Sequence, residues 1–141
     1  MIEGTLIPIG GNEDKGIEEN EQYTQEFISE GILCHVVKEA GGVDANIVVI
    51  PTASSIPIEV GNNYIEAFTA LGCKNIVVLD IRSTEDSEKE ASIELIKNAD
   101  CVMFSGGDQS KITKKIGGTT IHKILTERYI NEKGFVIAGT S

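Results

Sequence analysis

The stretch Asn46-Ile47-Val48-Val49-Ile50-Pro51 decides the fold class, because four consecutive β-branched apolar residues are followed at once by a proline turn. A run of this length is too short for a helix and predicts a β-strand. Its unbroken hydrophobicity is typical of a parallel strand that is covered on both faces. The run Ile76-Val77-Val78-Leu79 has the same character and predicts a second strand of this kind.

Similar runs recur along the chain and predict five strands, at Thr5–Ile9, Asn46–Ile50, Asn75–Ile81, Cys101–Phe104 and Phe135–Ala138. Between them, apolar residues follow a helical period. The four groups are Tyr23, Phe27, Ile28 and Ile32; Val60, Tyr64, Ile65 and Phe68; Ile93, Leu95 and Ile96; and Ile121, Leu125 and Tyr129. This alternation predicts one doubly wound α/β domain over residues 1–141, with a mostly parallel sheet and helices on both faces.

Composition excludes several classes of partner. The chain has 141 residues and a formal net charge of −10, with 22 acidic and 12 basic residues. Nucleic acids and anionic membrane surfaces attract basic proteins, so neither is expected to bind, whereas a cationic substrate suits this charge. No apolar stretch approaches the roughly 20 residues that span a membrane.

The cysteines and the N-terminal sequence indicate a cytoplasmic protein. Cys34, Cys73 and Cys101 lie far apart without the paired spacing of a zinc or redox motif, and we interpret them as buried thiols. The first residues carry no basic region before their apolar run, so they do not resemble a signal peptide. We predict no metal and no cofactor, since the Asp, Glu and Cys residues show no ligand spacing.

Ligands of doubly wound sheets bind beyond the carboxyl ends of the strands, so the residues that follow each strand are the candidate site. Gly10–Lys15 follows the first strand, and its glycines allow a sharp turn or close approach to a ligand. Pro51–Ser55 follows the second, and we interpret its hydroxyls mainly as helix caps. Asp80-Ile81-Arg82 follows the third, where the carboxylate and the guanidinium are expected to hold the loop.

The last two strand ends predict an acyl-transfer site. Ser105–Gln109 contains two glycines whose backbone N–H groups could face a developing negative charge, as in an oxyanion hole. Ala138–Ser141 has the strand, glycine and serine of the first half of a nucleophile elbow. A nucleotide-binding domain is disfavoured, because neither a Walker motif nor a dinucleotide fingerprint is present.

Taken together, the five strand ends resemble the cyanophycinase family in order and spacing. The matching segments are Gly10–Lys15, Pro51–Ser54, Leu79–Arg82, Ser105–Gln109 and Ala138–Ser141. The resemblance covers essentially the whole chain but only about the first half of the family's domain. It implies a fold like that of class I glutamine amidotransferases, a Ser-His-Glu triad, and hydrolysis of cyanophycin, an arginyl polyaspartate, to β-aspartyl-arginine.

The resemblance also assigns roles to residues. Ser141 matches the nucleophile, Gly107 and Asp108 lie in the oxyanion-hole loop, and Gln109 matches a substrate-contacting glutamine. We further expect Gly11 and Ser54 to bind a substrate that is rich in Asp and Arg.

The base and the acid of the triad follow the serine in the family. His35 and His122 fall within predicted helices and are interpreted as surface or helix-packing residues. We therefore expect a complementing C-terminal chain. A sheet that ends at Phe135–Ala138 would expose an apolar edge, so dimerisation is also expected.

Two alternatives share this fold. The first is an aspartyl dipeptidase-like serine peptidase, against which Asp108 and Gln109 count. The second is a non-catalytic binding subunit that keeps the pocket without hydrolysing anything.

Overall fold

A computed structural model describes residues 2–9 and 31–140. Within them the chain forms one parallel sheet in the order β1-β5-β4-β2-β3. Its strands are β1 (Thr5–Ile9), β2 (Asn46–Ile50), β3 (Asn75–Val78), β4 (Cys101–Phe104) and β5 (Val136–Thr140). The predicted α/β class and the five predicted strands are confirmed.

Helices connect the strands in the described part of the chain. They are α1 (Leu33–Glu39), α2 (Pro57–Ala70), α3 (Thr84–Ser87), α4 (Glu90–Asn98), α5 (Gln109–Lys115) and α6 (Thr120–Asn131). The predicted periods at 60–68, 93–96 and 121–129 coincide with α2, α4 and α6. Of the first predicted period, Tyr23, Phe27 and Ile28 lie outside the described residues, and Ile32 directly precedes α1. The helices α3 and α5 were not predicted.

The sheet has an apolar core on each face, as the doubly wound prediction requires. On one face, buried residues of α1 and α2 such as Val36 and Phe68 pack with Val49 of β2. On the other, Ile96 of α4 and Ile121 of α6 belong to the second core. All four apolar residues of β2 are buried, because this strand is central and has helices on both sides. No helix among the described residues is both long and apolar enough to cross a membrane.

The strand order corrects two expectations. β5 is not an edge strand, since it pairs with both β1 and β4. β3 is the edge strand on the other side, and its Val77 is 41% exposed. The prediction that β3 is covered on both faces is therefore wrong, because an edge strand lacks the flanking neighbour that would support a covering helix.

The ends of two strands also differ from the predicted bounds. β3 stops at Val78 rather than Ile81, because the Ile81 amide turns back to the Leu79 carbonyl at 3.1 Å. β5 continues through Gly139 and Thr140, which pair with β1. Gly139 and Thr140, which the sequence assigned to the elbow turn, therefore belong to the strand.

Arg128 of α6 joins this helix to the end of α4. Its guanidinium donates to the Ile96 and Ala99 carbonyls at 2.8 and 2.6 Å, and it lies 4.0 Å from the centre of the Phe135 ring. Two further hydrogen bonds, at 2.8 and 3.0 Å, reach the Glu132 carboxylate. A nearly buried cation with this many partners stabilises the contact between the two helices.

The cysteines differ in exposure. Cys73 and Cys101 are buried, as predicted, and burial raises the pKa of Cys101 to about 12. Cys34 is exposed on α1, so its interpretation as a buried thiol is wrong. Its neighbour Leu33 faces the core instead.

Candidate active site

The loop after β4 presents three consecutive backbone amides at the carboxyl edge of the sheet. The Gly106 amide donates to the Thr140 hydroxyl at 2.7 Å, and the Asp108 amide donates to the Ala53 carbonyl at 2.8 Å. Gly107 lies between them, is exposed, and donates its amide to no acceptor within the described residues. The Gly107 N–H is therefore the amide of this loop that can stabilise an oxyanion.

Glycine is required at position 107 for two reasons. Its φ is 138°, a region that residues with a side chain rarely adopt. A Cβ built there would lie 2.2 Å from the Ala53 carbonyl oxygen and 3.1 Å from the Ser54 Cα. The loops after β2 and β4 therefore touch through bare backbone.

Asp108 caps the helix that follows this loop. Its Oδ1 accepts hydrogen bonds from the Ser110 amide at 2.9 Å and the Ser110 hydroxyl at 2.6 Å. These bonds lower the pKa of Asp108. Both its amide and its carboxylate are thus engaged in holding the loop. Gln109, the first residue of α5, is exposed at the same edge.

The hydroxyls after β2 hold their own loop. Thr52 is buried and donates to the Ile81 carbonyl at 2.9 Å, which ties this loop to the end of β3. The Ser54 hydroxyl accepts from the Ile56 amide at 3.0 Å. The N-cap residue of α2 is Ile56, and no side chain caps this helix. The prediction that the hydroxyls after β2 cap it is therefore wrong. Ser54 instead closes a turn immediately before the helix.

Asp80 and Arg82 make the mutual contact that the sequence suggested. The guanidinium Nε and Nη2 lie 2.9 and 2.8 Å from the Asp80 Oδ2. The Arg82 amide also donates to the Asp86 carboxylate at 2.9 Å, which lowers the pKa of Asp86. This pair holds the loop after β3.

A tyrosine that sequence reasoning missed reaches this edge from α2. The Tyr64 hydroxyl lies 3.2 Å from the Thr140 hydroxyl, which also accepts from Gly106. The sequence pattern indicates Tyr64 only as part of an apolar helix face. The two residues are 76 positions apart, so no local pattern could indicate their contact.

Two predicted site residues, Gly11 and Ser141, lie outside the described residues, as does the rest of Gly10–Lys15. Ser141 follows Thr140 directly in sequence. No group of three or more His, Cys, Asp or Glu side chains that could hold a metal ion occurs within residues 2–9 and 31–140.

Both histidines lie in helices, as predicted. His35 of α1 is exposed and 3.9 Å from Glu39. His122 of α6 accepts a hydrogen bond from the Gly118 amide through its Nδ1 at 2.9 Å. Neither lies at a strand end.

The fold and these strand ends agree with a comparison against family models, in which Peptidase family S51 matches residues 18–141. The chain belongs to this peptidase family. The match includes the strand ends after β2, β3, β4 and β5, so the family assignment covers the loops described above.

Three curated proteins to which this chain is similar are cyanophycinases. Identity is 30% over 136 residues with the protein of Trichormus variabilis (strain ATCC 29413 / PCC 7937), covering 96% of this chain and 42% of the relative. It is 28% over 127 residues with that of Geminocystis herdmanii (strain PCC 6308), covering 90% and 43%. It is 29% over 138 residues with that of Synechococcus elongatus, covering 98% and 39%. The chain thus spans less than half the length of these relatives.

A solved structure has the same fold. A peptidase from an acI-B1 Actinobacterium superposes with a TM-score of 0.73 at 22% identity. The match covers 99% of this chain and 55% of that one. The parallel sheet with helices is therefore found in a solved peptidase.

Proposed function

We propose that the chain contributes the nucleophile and part of the oxyanion hole to a serine-type exopeptidase that hydrolyses cyanophycin to β-aspartyl-arginine. Family membership and the cyanophycinase relatives support the reaction class and the substrate. The observation that carries the proposal is that Gly107 is exposed and its amide donates to no acceptor within residues 2–9 and 31–140, whereas the amides on both sides are bonded. It lies in a loop joined directly to Thr140, the residue before Ser141.

In this proposal the Ser141 hydroxyl attacks the scissile carbonyl, and the Gly107 N–H donates to the oxygen on which negative charge develops. Asp108 holds the loop through its cap on α5 and its bond to Ala53. Gln109, Ser54 and Gly11 contact the substrate.

The base and the acid come from a complementing segment of polypeptide. A serine hydroxyl becomes an effective nucleophile only when a neighbouring base takes its proton. His122 has its Nδ1 engaged by Gly118, and His35 is on the outer side of α1. A complementing chain with a histidine and a carboxylate supplies both groups, as the family resemblance implies.

Charge agrees with this substrate. Cyanophycin carries an arginine on each aspartate of its backbone, so every unit has a guanidinium. A chain with a net charge of −10 attracts such a polymer over a range set by the ionic strength.

The test uses the protein from its natural source together with any polypeptide that copurifies. Intact masses identify that polypeptide, and the release of β-aspartyl-arginine from cyanophycin measures activity. We expect Ser141→Ala to lower kcat by about ten-thousand-fold or more, because the triad acts as a unit. Ser55→Ala, which removes an exposed hydroxyl in a neighbouring loop, is the matched control and keeps activity.

Three outcomes would contradict the proposal in different ways. Full activity in Ser141→Ala removes the nucleophile assignment. Cleavage of aspartyl dipeptides without release of β-aspartyl-arginine indicates the dipeptidase alternative. A folded 141-residue species that is inert with every copurifying polypeptide indicates a non-catalytic subunit.

A further inference from the structure

One hydroxyl group joins three elements at the candidate site. The Thr140 Oγ1 at the end of β5 accepts the Gly106 amide proton from the loop after β4, at 2.7 Å. The same oxygen lies 3.2 Å from the hydroxyl of Tyr64 on α2. Any movement of Thr140 therefore moves the anchor of the glycine loop.

Within residues 2–9 and 31–140, the Thr140 hydroxyl has two hydrogen-bond partners, Gly106 and Tyr64. A threonine hydroxyl has one proton and two lone pairs. The Gly106 amide uses one lone pair. Tyr64 either donates to the second lone pair or accepts the Thr140 proton, and in both cases it restricts rotation of the threonine side chain. Without the phenol, the Gly106 amide is the remaining described partner of that hydroxyl.

Tyr64 packs against the core through its ring. Its ring stacks on that of Phe68 one turn further along α2, with centroids 6.3 Å apart and 28° between the planes. Phe68 is fully buried in the core on that face of the sheet. Burial raises the pKa of Tyr64 by more than the hydrogen bond with Thr140 lowers it, so the phenol stays neutral. A neutral phenol can both donate and accept.

We propose that Tyr64 is a positioning residue for the peptidase site. Through Thr140 it fixes the end of β5, and with it Ser141, relative to the Gly106-Gly107 loop. This inference rests on the proposed function, in which Ser141 is the nucleophile and Gly107 the oxyanion donor. The separation of those two groups must be held closely, because a misplacement of about 1 Å can cost about a hundredfold in rate.

The kinetic test compares substitutions along this hydrogen-bond chain in the protein as purified with any accompanying polypeptide. We expect Tyr64→Phe to lower kcat about tenfold, the loss that corresponds to one hydrogen bond. KM stays within about twofold, because Tyr64 does not touch the substrate. We expect Thr140→Val to lower kcat further, by about a hundredfold. Thr140→Ser keeps the hydroxyl and should keep most of the activity.

Tyr129→Phe is the matched control. Tyr129 is a half-buried tyrosine of α6, and its hydroxyl has no hydrogen bond within the described residues. We expect wild-type kinetics in this variant. The proposal would be overturned if Tyr64→Phe and Tyr129→Phe lowered kcat equally, or if Tyr64→Phe changed KM alone.

A second readout does not depend on hydrolysis. Amide hydrogen exchange of Gly106, followed by NMR in the 141-residue chain, reports whether its bond to Thr140 persists. We expect exchange to be several-fold faster in Tyr64→Phe than in wild type and unchanged in Tyr129→Phe.

The two readouts separate this inference from the proposed function. If the wild-type protein does not hydrolyse cyanophycin, the proposed function fails, while faster Gly106 exchange in Tyr64→Phe still supports the positioning role. If wild type is active and Tyr64→Phe changes neither kcat nor exchange, the positioning role is wrong and the proposed function stands.

Discussion

Gly107 brings its backbone against the Ala53 carbonyl at a φ of 138°. A side chain at this position would meet two separate obstacles, the strained backbone and the carbonyl oxygen 2.2 Å from the Cβ. The neighbouring loop cannot yield easily, because Thr52 ties it to the Ile81 carbonyl. The close approach of the Gly107 backbone to Ala53 is therefore possible only because residue 107 has no side chain.

Replacing this glycine tests the contact between the loops. We expect Gly107→Ala to lower the free energy of unfolding by about 3 kcal/mol, from backbone strain and overpacking together. The matched control is Gly118→Ala, where φ is 77° and no atom lies within 4 Å of the new Cβ. In that variant the free energy of unfolding should fall by only about 1 kcal/mol, because backbone strain is the sole cost. Urea unfolding measures both, and equal losses would contradict the clash.

At the residue scale, the sequence predicted the glycine loop but not which of its amides has no acceptor in the described part of the chain. The Ser-Gly-Gly-Asp pattern marks a loop at a strand end. The Gly106 amide donates to Thr140 and the Asp108 amide donates to Ala53, and both acceptors are far away in sequence. Tertiary packing decides those pairings, so a local pattern does not contain them.

Among the elements, α6 receives part of its N-terminal capping from another segment. Glu88, between α3 and α4, accepts hydrogen bonds from the Thr120 amide at 3.0 Å and from the Thr120 hydroxyl. Thr119 caps the same helix from within. Both hydrogen bonds from Thr120 lower the pKa of Glu88, and the bond from the hydroxyl has the larger effect. The ionised carboxylate is thus favoured in the folded chain.

This lowered pKa predicts a pH dependence of stability. A carboxyl whose pKa is lower when folded stabilises the fold above its unfolded pKa, and this contribution is lost as the pH falls through the folded pKa. Glu88→Gln should therefore be less stable than wild type at pH 7, with the difference disappearing below about pH 4. Urea midpoints across this range measure it. Glu127→Gln, an exposed position on α6, is the control. A Glu88→Gln difference that does not shrink as the pH falls from 7 to 3 would contradict the ionic origin.

The strands were predictable because each is a short apolar run that ends in turn residues. Helix α5 was not, because its sequence Gln-Ser-Lys-Ile-Thr-Lys-Lys has a single apolar residue, Ile112, and so no period. Its signal was the cap: Asp108 stands before the helix and Lys114 and Lys115 lie in its last turn. Cap residues therefore indicate short helices that periodicity misses.

On the scale of the whole molecule, apolar side chains are exposed at both edges of the described sheet. Leu6 of β1 is 55% exposed, and nearby Ile2 and Ile130 are 56% and 41% exposed. At the other edge, Val77 of β3 has polar neighbours such as Asn75. The β1 edge is thus the more apolar of the two.

We expect the 141-residue chain by itself to associate through the β1 edge. Leu6→Lys should reduce this association, because an edge lysine opposes strand pairing. Val77→Lys, the same change at the opposite edge, is the matched control and should leave association unchanged. Sedimentation velocity over a range of concentrations measures both. A wild-type chain that stays monomeric throughout would show that the expectation is wrong.

The sequence predicted five parallel strands but not their order. It placed β5 at an edge, whereas the described sheet has this strand between β1 and β4. Strand order depends on which crossover connections form, and local hydrophobic patterns do not record it.

That order has a consequence during synthesis on the ribosome. Thr5 pairs with Val136, and within the described sheet β5 is the only neighbour of β1. β1 must therefore wait for β5, which is translated about 130 residues later, before it can join the described sheet. Until then, Leu6 and Ile7 remain available to chaperones and to neighbouring nascent chains. A pause in translation before the codon for Val136 should prolong that exposure.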